Sequence, residues 1–319
     1  MPEVDLKDLE ELPGVGRVTA QKLRSAGIFS IRQLALHTAD ELAEMVDMEP
    51  TRLANILRHA RRLVGFRVYD GKSYRSMRDS LPRLTTGVKS LDDLLGGGLE
   101  PRAIYEFAGE FGAGKTQLCH QIAVTAQLSP DRGGVSGRVF YLDTEGTFSP
   151  ERIESIAKRF EVDPELALEN ILSVEAINVD HQIECLRTDV IEAIEEQNVK
   201  VIVVDSLISH FRAEYAGRDQ LALRQQRLNY FIDWLLRIAR VYNVYIVVTN
   251  QVLEVPVAWR AEHKVPAGGN IVAHGTTHRF MLEVKDRTRR RVKVIDSPKL
   301  PYGAETFFEI FEGGVRDVA

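Results

Sequence analysis

Residues Gly109, Glu110, Phe111, Gly112, Ala113, Gly114, Lys115 and Thr116 form a complete GxxxxGK[ST] octet, and this feature constrains the fold of the chain most. An apolar run, Ala103 to Ala108, precedes it, and a helical run, Gln117 to Leu128, follows it. Strand, glycine-rich turn and helix in that order make a phosphate loop. The glycines let successive backbone N–H groups face inward, and the helix start adds its positive dipole end. Lys115 then reaches the β- and γ-phosphates, and the Thr116 hydroxyl ligates Mg²⁺. The octet therefore predicts an ATP site built on an α/β domain.

The 319 residues suffice for one large domain and a small one, and a 44% hydrophobic content fills a core. No run approaches the roughly 18 consecutive apolar residues of a membrane span. The start, Met1-Pro2-Glu3-Val4-Asp5, is acidic where a signal peptide would be basic and then apolar. A cytosolic protein with no membrane partner is expected. Cys119 and Cys185, the only two cysteines, lie far apart in helical stretches and form neither a disulfide framework nor a zinc pattern. Both are expected to be buried, reduced and structural. The eight histidines form no ligand-spaced cluster. With 41 Lys and Arg against 46 Asp and Glu, the formal net charge is −5, so any DNA contact must come from local basic loops.

Residues 1–65 read as short helices separated by turn signals, with apolar residues at helical spacing: Leu34, Leu36, Leu42, Val46, Leu53, Ile56 and Leu57. Within them, Pro13-Gly14-Val15-Gly16 followed by Val18 to Leu23 has the form of a helix-hairpin-helix element. Its turn either offers N–H groups to a DNA phosphate or merely joins two packed helices. Residues 66–82 are polar and aperiodic, which predicts an interdomain linker. From residue 83 to 319, β-branched and aromatic runs at Ala103 to Ala108, Val139 to Asp143, Val201 to Asp205 and Tyr245 to Asn250 alternate with helical segments. That is the pattern of a mostly parallel sheet covered by helices. The tail, with strand-forming runs at Arg279 to Lys285, Arg291 to Asp296 and Thr306 to Phe311, predicts an added antiparallel edge.

Val201 to Asp205 is a continuous apolar run ending in a carboxylate, so Asp205 is expected beside the Mg²⁺ at the ligand-binding edge of the sheet. Tyr141-Leu142-Asp143-Thr144-Glu145 brings two more acids to a strand end; the residues alone leave both open as surface acids or as the group that polarises water. Thr249-Asn250-Gln251 ends another strand in amides, which can sense a γ-phosphate without changing protonation.

These segments, with Tyr-Leu-Asp-Thr-Glu-Gly-Thr-Phe-Ser-Pro-Glu-Arg, Val-Asp-Ser, Thr-Asn-Gln-Val, Gly-Gly-Asn-Ile-Val-Ala-His and Asp-Ser-Pro, occur in the order found in archaeal RadA recombinases. Over nearly its whole length the chain resembles that family of RecA-like strand-exchange ATPases. The resemblance implies a RecA-like P-loop core behind a small helical helix-hairpin-helix domain. It also implies DNA-stimulated ATP hydrolysis, a helical filament or ring of copies, and single- and double-stranded DNA as partners. Mediator proteins and a nucleoid location on DNA are implied as well. It makes Lys115, Thr116 and Asp205 the holders of Mg·ATP, with Gln117 beside them, and chooses Glu145 to activate water. Gln251 would couple the γ-phosphate to a DNA loop, and Arg152 would stack on adenine. Asp296 and Pro298 would cap the nucleotide of the next protomer, and His274 would approach its γ-phosphate. One DNA loop would carry Arg212, Arg218 and Arg224; the other, about Val252 to Ile271, would carry Val257, Trp259, Lys264 and a flexible Gly268-Gly269-Asn270. The arginines suit phosphate contact, and the apolar side chains suit wedging at bases. The run Lys285 to Lys293 is expected to be a solvated hairpin tip, with a secondary duplex contact as the alternative.

Two positions depart from the family pattern. Filament assembly there uses Phe-x-x-Ala, whereas this chain has Phe66-Arg67-Val68-Tyr69. Burying Phe66 is worth roughly 1.5–3 kcal/mol, but forcing Tyr69 into an alanine-sized pocket would cost about 1–3 kcal/mol. Phe66 is thus the expected anchor, with either an enlarged second pocket or Tyr69 left outside it. Tyr302 stands where some relatives place a second carboxylate after the cap Asp, so K⁺ is expected to matter less, or to rest on Asp296 and Glu145 alone. A ring-forming motor of the same core fold and a non-catalytic mediator paralogue are the competing readings. The first is disfavoured by the linker and paired loops, the second by Lys115, Glu145, Asp205 and Gln251 occurring together.

Overall fold

The computed structural model describes residue 6, residues 8–255 and residues 263–318; Val257 and Trp259 lie outside the described residues. The chain forms two compact units, Met1–Ser80 and Leu81–Ala319.

In the first unit, α1 (Arg17–Ser25), α2 (Ile31–Leu36), α3 (Ala39–Met45) and α4 (Pro50–Leu63) enclose a core of Leu9, Leu23, Ile31, Leu34, Leu42, Leu53, Ile56 and Leu57. Local signals start these helices. Ser30 caps α2, Thr38 and Glu41 form a reciprocal capping box on α3, and Pro50 occupies the first turn of α4. The segment expected to be aperiodic contains a further helix, α5 (Gly71–Asp79), none of whose residues is buried. Apolar periodicity could not reveal a helix without a buried face. Its signal is the cap: Asp70 accepts hydrogen bonds from the Ser73 backbone at 2.9 Å and the Ser73 hydroxyl at 2.7 Å.

The second unit opens with α6 (Lys89–Leu95), β1 (Ile104–Gly109) and α7 (Lys115–Thr125). It continues with β2 (Arg138–Asp143), α8 (Pro150–Arg159), α9 (Pro164–Glu169), β3 (Ile171–Glu175), α10 (Val179–Arg187), α11 (Asp189–Gln197) and β4 (Val199–Asp205). Next come α12 (Ser209–Glu214), α13 (Leu221–Tyr242), β5 (Tyr245–Asn250), β6 (Val252–Val255), β7 (His263–Pro266) and α14 (Gly269–Gly275). Strands β8 (His278–Val284), β9 (Arg289–Asp296), β10 (Glu305–Phe311) and β11 (Gly314–Asp317) complete it. The main sheet has the order β11-β10-β9-β8-β1-β5-β4-β2-β3. From β8 to β3 the pairings are parallel, and β9, β10 and β11 add the antiparallel edge. Strands β1 and β5 are buried throughout, because helices cover both faces of a parallel sheet. None of the described helices is long and apolar enough to cross a membrane.

The two expected DNA loops are more ordered than their composition suggests. In the first, Ser209–Glu214 is helical with Phe211 fully buried. In the second, β6 pairs with β7, and Gly268-Gly269-Asn270 begins α14 instead of forming a flexible loop. Gly268 has φ +93°, and a Cβ there would meet Val272 Cγ2 at 2.2 Å, so glycine is required by shape. The basic run is also only partly a solvated tip, since β9 starts at Arg289 and Arg290 is buried.

A buried ion pair ties both ends of the β6-β7-α14 excursion to β1. Glu106 accepts from Arg279 Nε at 2.6 Å, from Asn250 Nδ2 at 2.7 Å and from the Thr276 hydroxyl at 3.1 Å. Removing one partner of such a pair leaves a buried, uncompensated charge. Arg279→Ala is expected to destabilise this unit by about 3–5 kcal/mol, measured by urea unfolding followed through tryptophan fluorescence. A loss below about 1 kcal/mol, the worth of a surface pair, would show that the pair does not brace these strands.

Candidate nucleotide site and nucleic-acid interface

The phosphate loop joins β1 to α7. Gly112 and Gly114 adopt φ +76° and +91°, and Gly114 also packs so closely that a Cβ would meet Ile310 Cδ1 at 2.9 Å. Only glycine fits this turn, and the first N–H groups of α7 have no partner within the helix. Lys115 Nζ donates to the carbonyls of Gly109 and Glu110 at 2.9 and 2.8 Å. Burial lowers its pKa, against the opposing pull of Asp205 and Glu145. A cation already partly desolvated at the loop gains when phosphate oxygens replace two neutral carbonyls. Phe111 stands fully exposed at the loop. Arg290, expected in a solvated tip, donates to the Gly112 carbonyl at 3.0 Å and braces the loop from β9.

Asp205 ends β4, 2% exposed. Burial pushes its carboxyl upward, and hydrogen bonds from Thr249, Thr116 and Tyr141 oppose that shift, the last at 2.9 Å. A carboxylate beside the Thr116 hydroxyl is a hard-oxygen pair. It suits Mg²⁺ shared with phosphates, which takes only one or two protein oxygens. Among the described residues no group of three or more His, Cys, Asp or Glu side chains is arranged to hold a metal by itself.

The two acids at the end of β2 differ in what they bond. Asp143 is 3% exposed, and its oxygens accept from the backbone N–H groups of Glu145, Gly146 and Phe148, each at 2.9 Å. Both of its oxygens are engaged in folding the turn. Glu145 is exposed, and its Oε1 accepts from the Ser206 hydroxyl at 2.6 Å and from Gln251 Nε2 at 3.0 Å. Gln251 Oε1 in turn accepts from Arg212 at 2.6 Å. Four side chains from the ends of three parallel strands and α12 thus form one chain, Ser206 to Glu145 to Gln251 to Arg212.

Other expected site residues fall around this centre. Arg152 donates to Gln117 at 2.5 Å, to the Phe311 carbonyl at 2.5 Å and to the Glu312 carbonyl, which fixes its guanidinium against the β10–β11 turn. Lys264 pairs with Glu110 of the phosphate loop at 2.5 Å. Arg218 is exposed, Arg224 lies half-buried on α13, and His274 and Asn270 lie on α14. Asp296 and Pro298 are exposed at the end of β9. Cys119 and Cys185 are both buried, and burial raises both thiols, Cys185 to about 12.

A family model described as Rad51 matches residues 77–318, and one described as a SAM-like helix-hairpin-helix tandem matches residues 6–62. The chain belongs to the Rad51 family. Its similar relatives include proteins named DNA repair and recombination protein RadA. That of Metallosphaera sedula is 40% identical, covering 98% of this chain and 96% of the relative. That of Aeropyrum pernix is 40% identical, covering 98% of each, and that of Ignicoccus hospitalis is 43% identical, covering 96% of this chain and 94% of the relative.

Tyr141, Ser206 and Thr249 lie within the motifs but carried no expected role, and Arg290 lay in the basic run; contacts made across strands bring them to Asp205, Glu145 and the phosphate loop. One buried neighbour titrates. His120 on α7 packs against Tyr141 and Phe148, with ring centres 5.6 and 5.7 Å away, and its pKa is lowered to about 4 by burial and by the charge of Arg152, against Asp143. The unfolded chain binds a proton here near pH 6.5, so stability is full above that value and is lost as pH falls towards 4. Between pH 7 and 4 the wild type is expected to lose about 3 kcal/mol more than His120→Gln, read from urea midpoints. Equal losses would refute this.

Proposed function

We propose that this member of the family is an ATP-dependent DNA strand-exchange recombinase, which assembles on single-stranded DNA, pairs it with homologous duplex and hydrolyses ATP when DNA is bound. The observation that carries the reading is the hydrogen-bonded chain from Glu145 through Gln251 to Arg212, because it joins a water-activating carboxylate to a DNA-facing cation.

In this reading the triphosphate lies on the N-terminus of α7, with Lys115 moving from the two loop carbonyls to the β- and γ-phosphates. Thr116 and Asp205 would hold Mg²⁺, which would offset phosphate charge. Glu145 is a carboxylate with one oxygen already fixed by Ser206 and Gln251, so the remaining oxygen orients the attacking water and accepts its proton. Arg152, held by carbonyls of the β10–β11 turn, presents a fixed planar face to adenine. When a DNA phosphate draws Arg212 away, Gln251 loses its acceptor role there and its grip on Glu145 changes. Nucleotide and DNA thereby report to each other through one amide.

Arg212, Arg218, Arg224 and Lys264 supply phosphate contacts without sequence readout, while Val257, Trp259 and the Gly268-Gly269-Asn270 turn complete the second DNA face. The hairpin at Gly14, where Arg52 donates to the Gly14 carbonyl at 3.3 Å, adds a phosphate contact in the helical unit. Copies assemble by inserting Phe66 into a neighbour. Tyr69 supports a single anchor: its hydroxyl donates to the Gly65 carbonyl at 3.3 Å, Arg67 lies 5.0 Å over its ring, and Tyr74 meets its edge, so it packs on its own segment. Asp296, Pro298 and His274 then act on the nucleotide of the next protomer. With Tyr302 exposed and no second carboxylate there, hydrolysis needs K⁺ only weakly. Such a protein works in the cytoplasm, on the nucleoid and with mediator proteins.

The test is joint-molecule formation from a single strand and homologous duplex with Mg·ATP. Glu145→Gln is expected to lower hydrolysis by about 10²–10⁴-fold while pairing persists, and Lys115→Ala is expected to abolish both. Product from heterologous duplex, or no product from folded, DNA-binding wild type, would overturn the assignment.

A further inference from the structure

The exposed pair Asp296 and Pro298 is separated by Ser297, which points the other way. Ser297 Oγ accepts from the backbone N–H groups of Lys299 at 3.2 Å and Leu300 at 3.0 Å, and lies 2.9 Å from Nδ1 of His278. The other ring nitrogen, Nε2, lies 3.2 Å from Glu100 Oε1. His278 is completely buried and stacks on Tyr105, with ring centres 4.7 Å apart. Tyr105 also accepts the Glu100 backbone N–H at 2.9 Å. Glu100 is 5% exposed, and it draws in Lys299 at 3.2 Å and Arg83 at 3.0 Å. The segment from Asp296 to Leu300 is thus held from beneath at Ser297 and at Lys299, on both sides of Pro298.

We propose that His278 and Glu100 are positioning residues for the nucleotide of the adjacent protomer: through Ser297 and Lys299 they hold Asp296 and Pro298 preformed as its cap. This rests on the reading that the cap acts in trans. A mobile segment would have to be ordered when ATP binds, and the loss would appear as weaker nucleotide binding. An anchored one meets the next protomer already shaped. A buried imidazole between a hydroxyl and a carboxylate suits this task, because its two nitrogens bond in opposite directions and the ring is fixed by stacking.

The experiment is DNA-stimulated ATP hydrolysis by the full chain, with filament assembly on DNA measured separately. His278→Phe keeps an aromatic ring against Tyr105 and removes both hydrogen bonds; Ser297→Ala removes only the anchor hydroxyl and leaves the core untouched. Both are expected to raise KM for ATP by about 3–10-fold, the size of one net hydrogen bond lost from the cap's preformed shape, with kcat within about twofold and assembly unchanged. Wild type mixed with excess Lys115→Ala should keep its KM, whereas wild type mixed with excess Lys115→Ala/His278→Phe should show the raised value. Asp296→Ala separates the two ideas. If it raises KM while Ser297→Ala does not, the cap stands and the anchoring proposal falls. If Asp296→Ala leaves KM unchanged, the cap itself falls and the proposal with it. A raised KM for His278→Phe alone that is absent from the mixture would place the effect within one protomer and overturn the trans role.

Discussion

Parallel pairing of β1, β5, β4 and β2 is the constraint from which the site follows. Because these strands run the same way and lie side by side, their carboxyl ends meet at one edge of the sheet. The phosphate loop leaves β1, Asp205 ends β4, Gln251 follows β5 and Glu145 follows β2, so residues over a hundred positions apart in sequence come into hydrogen-bonding reach. Antiparallel pairing of any one of them would send its terminal residues to the opposite edge. The hydrophobic cover on both faces makes this arrangement stable, since such strands have no face that tolerates water.

Buried charge in this core is always answered locally, and the kind of answer divides structure from chemistry. Glu106 is met by a guanidinium and acts as a brace. Asp143 is met by three backbone N–H groups and shapes a turn. Asp205 accepts hydrogen bonds from three hydroxyls and has the Lys115 ammonium as its nearby charge, which hold its carboxylate in place without a direct ion pair among the described residues. Glu145 keeps an oxygen towards solvent. A carboxylate with a full charge partner has little left to offer a ligand, whereas one held by neutral donors retains its charge for a cation.

Much of this was legible in the order of residues. The octet at Gly109 to Thr116 implied a strand before it and a helix after it, and its glycines take the positive φ angles at Gly112 and Gly114 without strain. The apolar runs ending at Asp205 and Asn250 gave two further strands nearly to the residue. Strand β3 and helix α5 were not legible. The first alternates too weakly at the sheet edge, and the second has no buried face for periodicity to reveal. The second loop expected to meet DNA reads as flexible in sequence because glycine suggests freedom, whereas Gly268 answers a steric demand of Val272.

The chain by itself therefore determined its class of fold and its phosphate loop, since these rest on local patterns of glycine, apolar spacing and strand-ending acids, whereas its family was legible only as a resemblance carried by whole motifs in order. Tertiary structure alone decided which of Asp143 and Glu145 is left with a carboxylate oxygen to offer, that Arg212 and Gln251 bond, and that His278 lies beneath Ser297. Each of these depends on which donors another strand brings within about 3 Å. Hydrogen bonds between distant residues leave no periodic trace in a sequence, because their partners are chosen by the register and direction of the sheet.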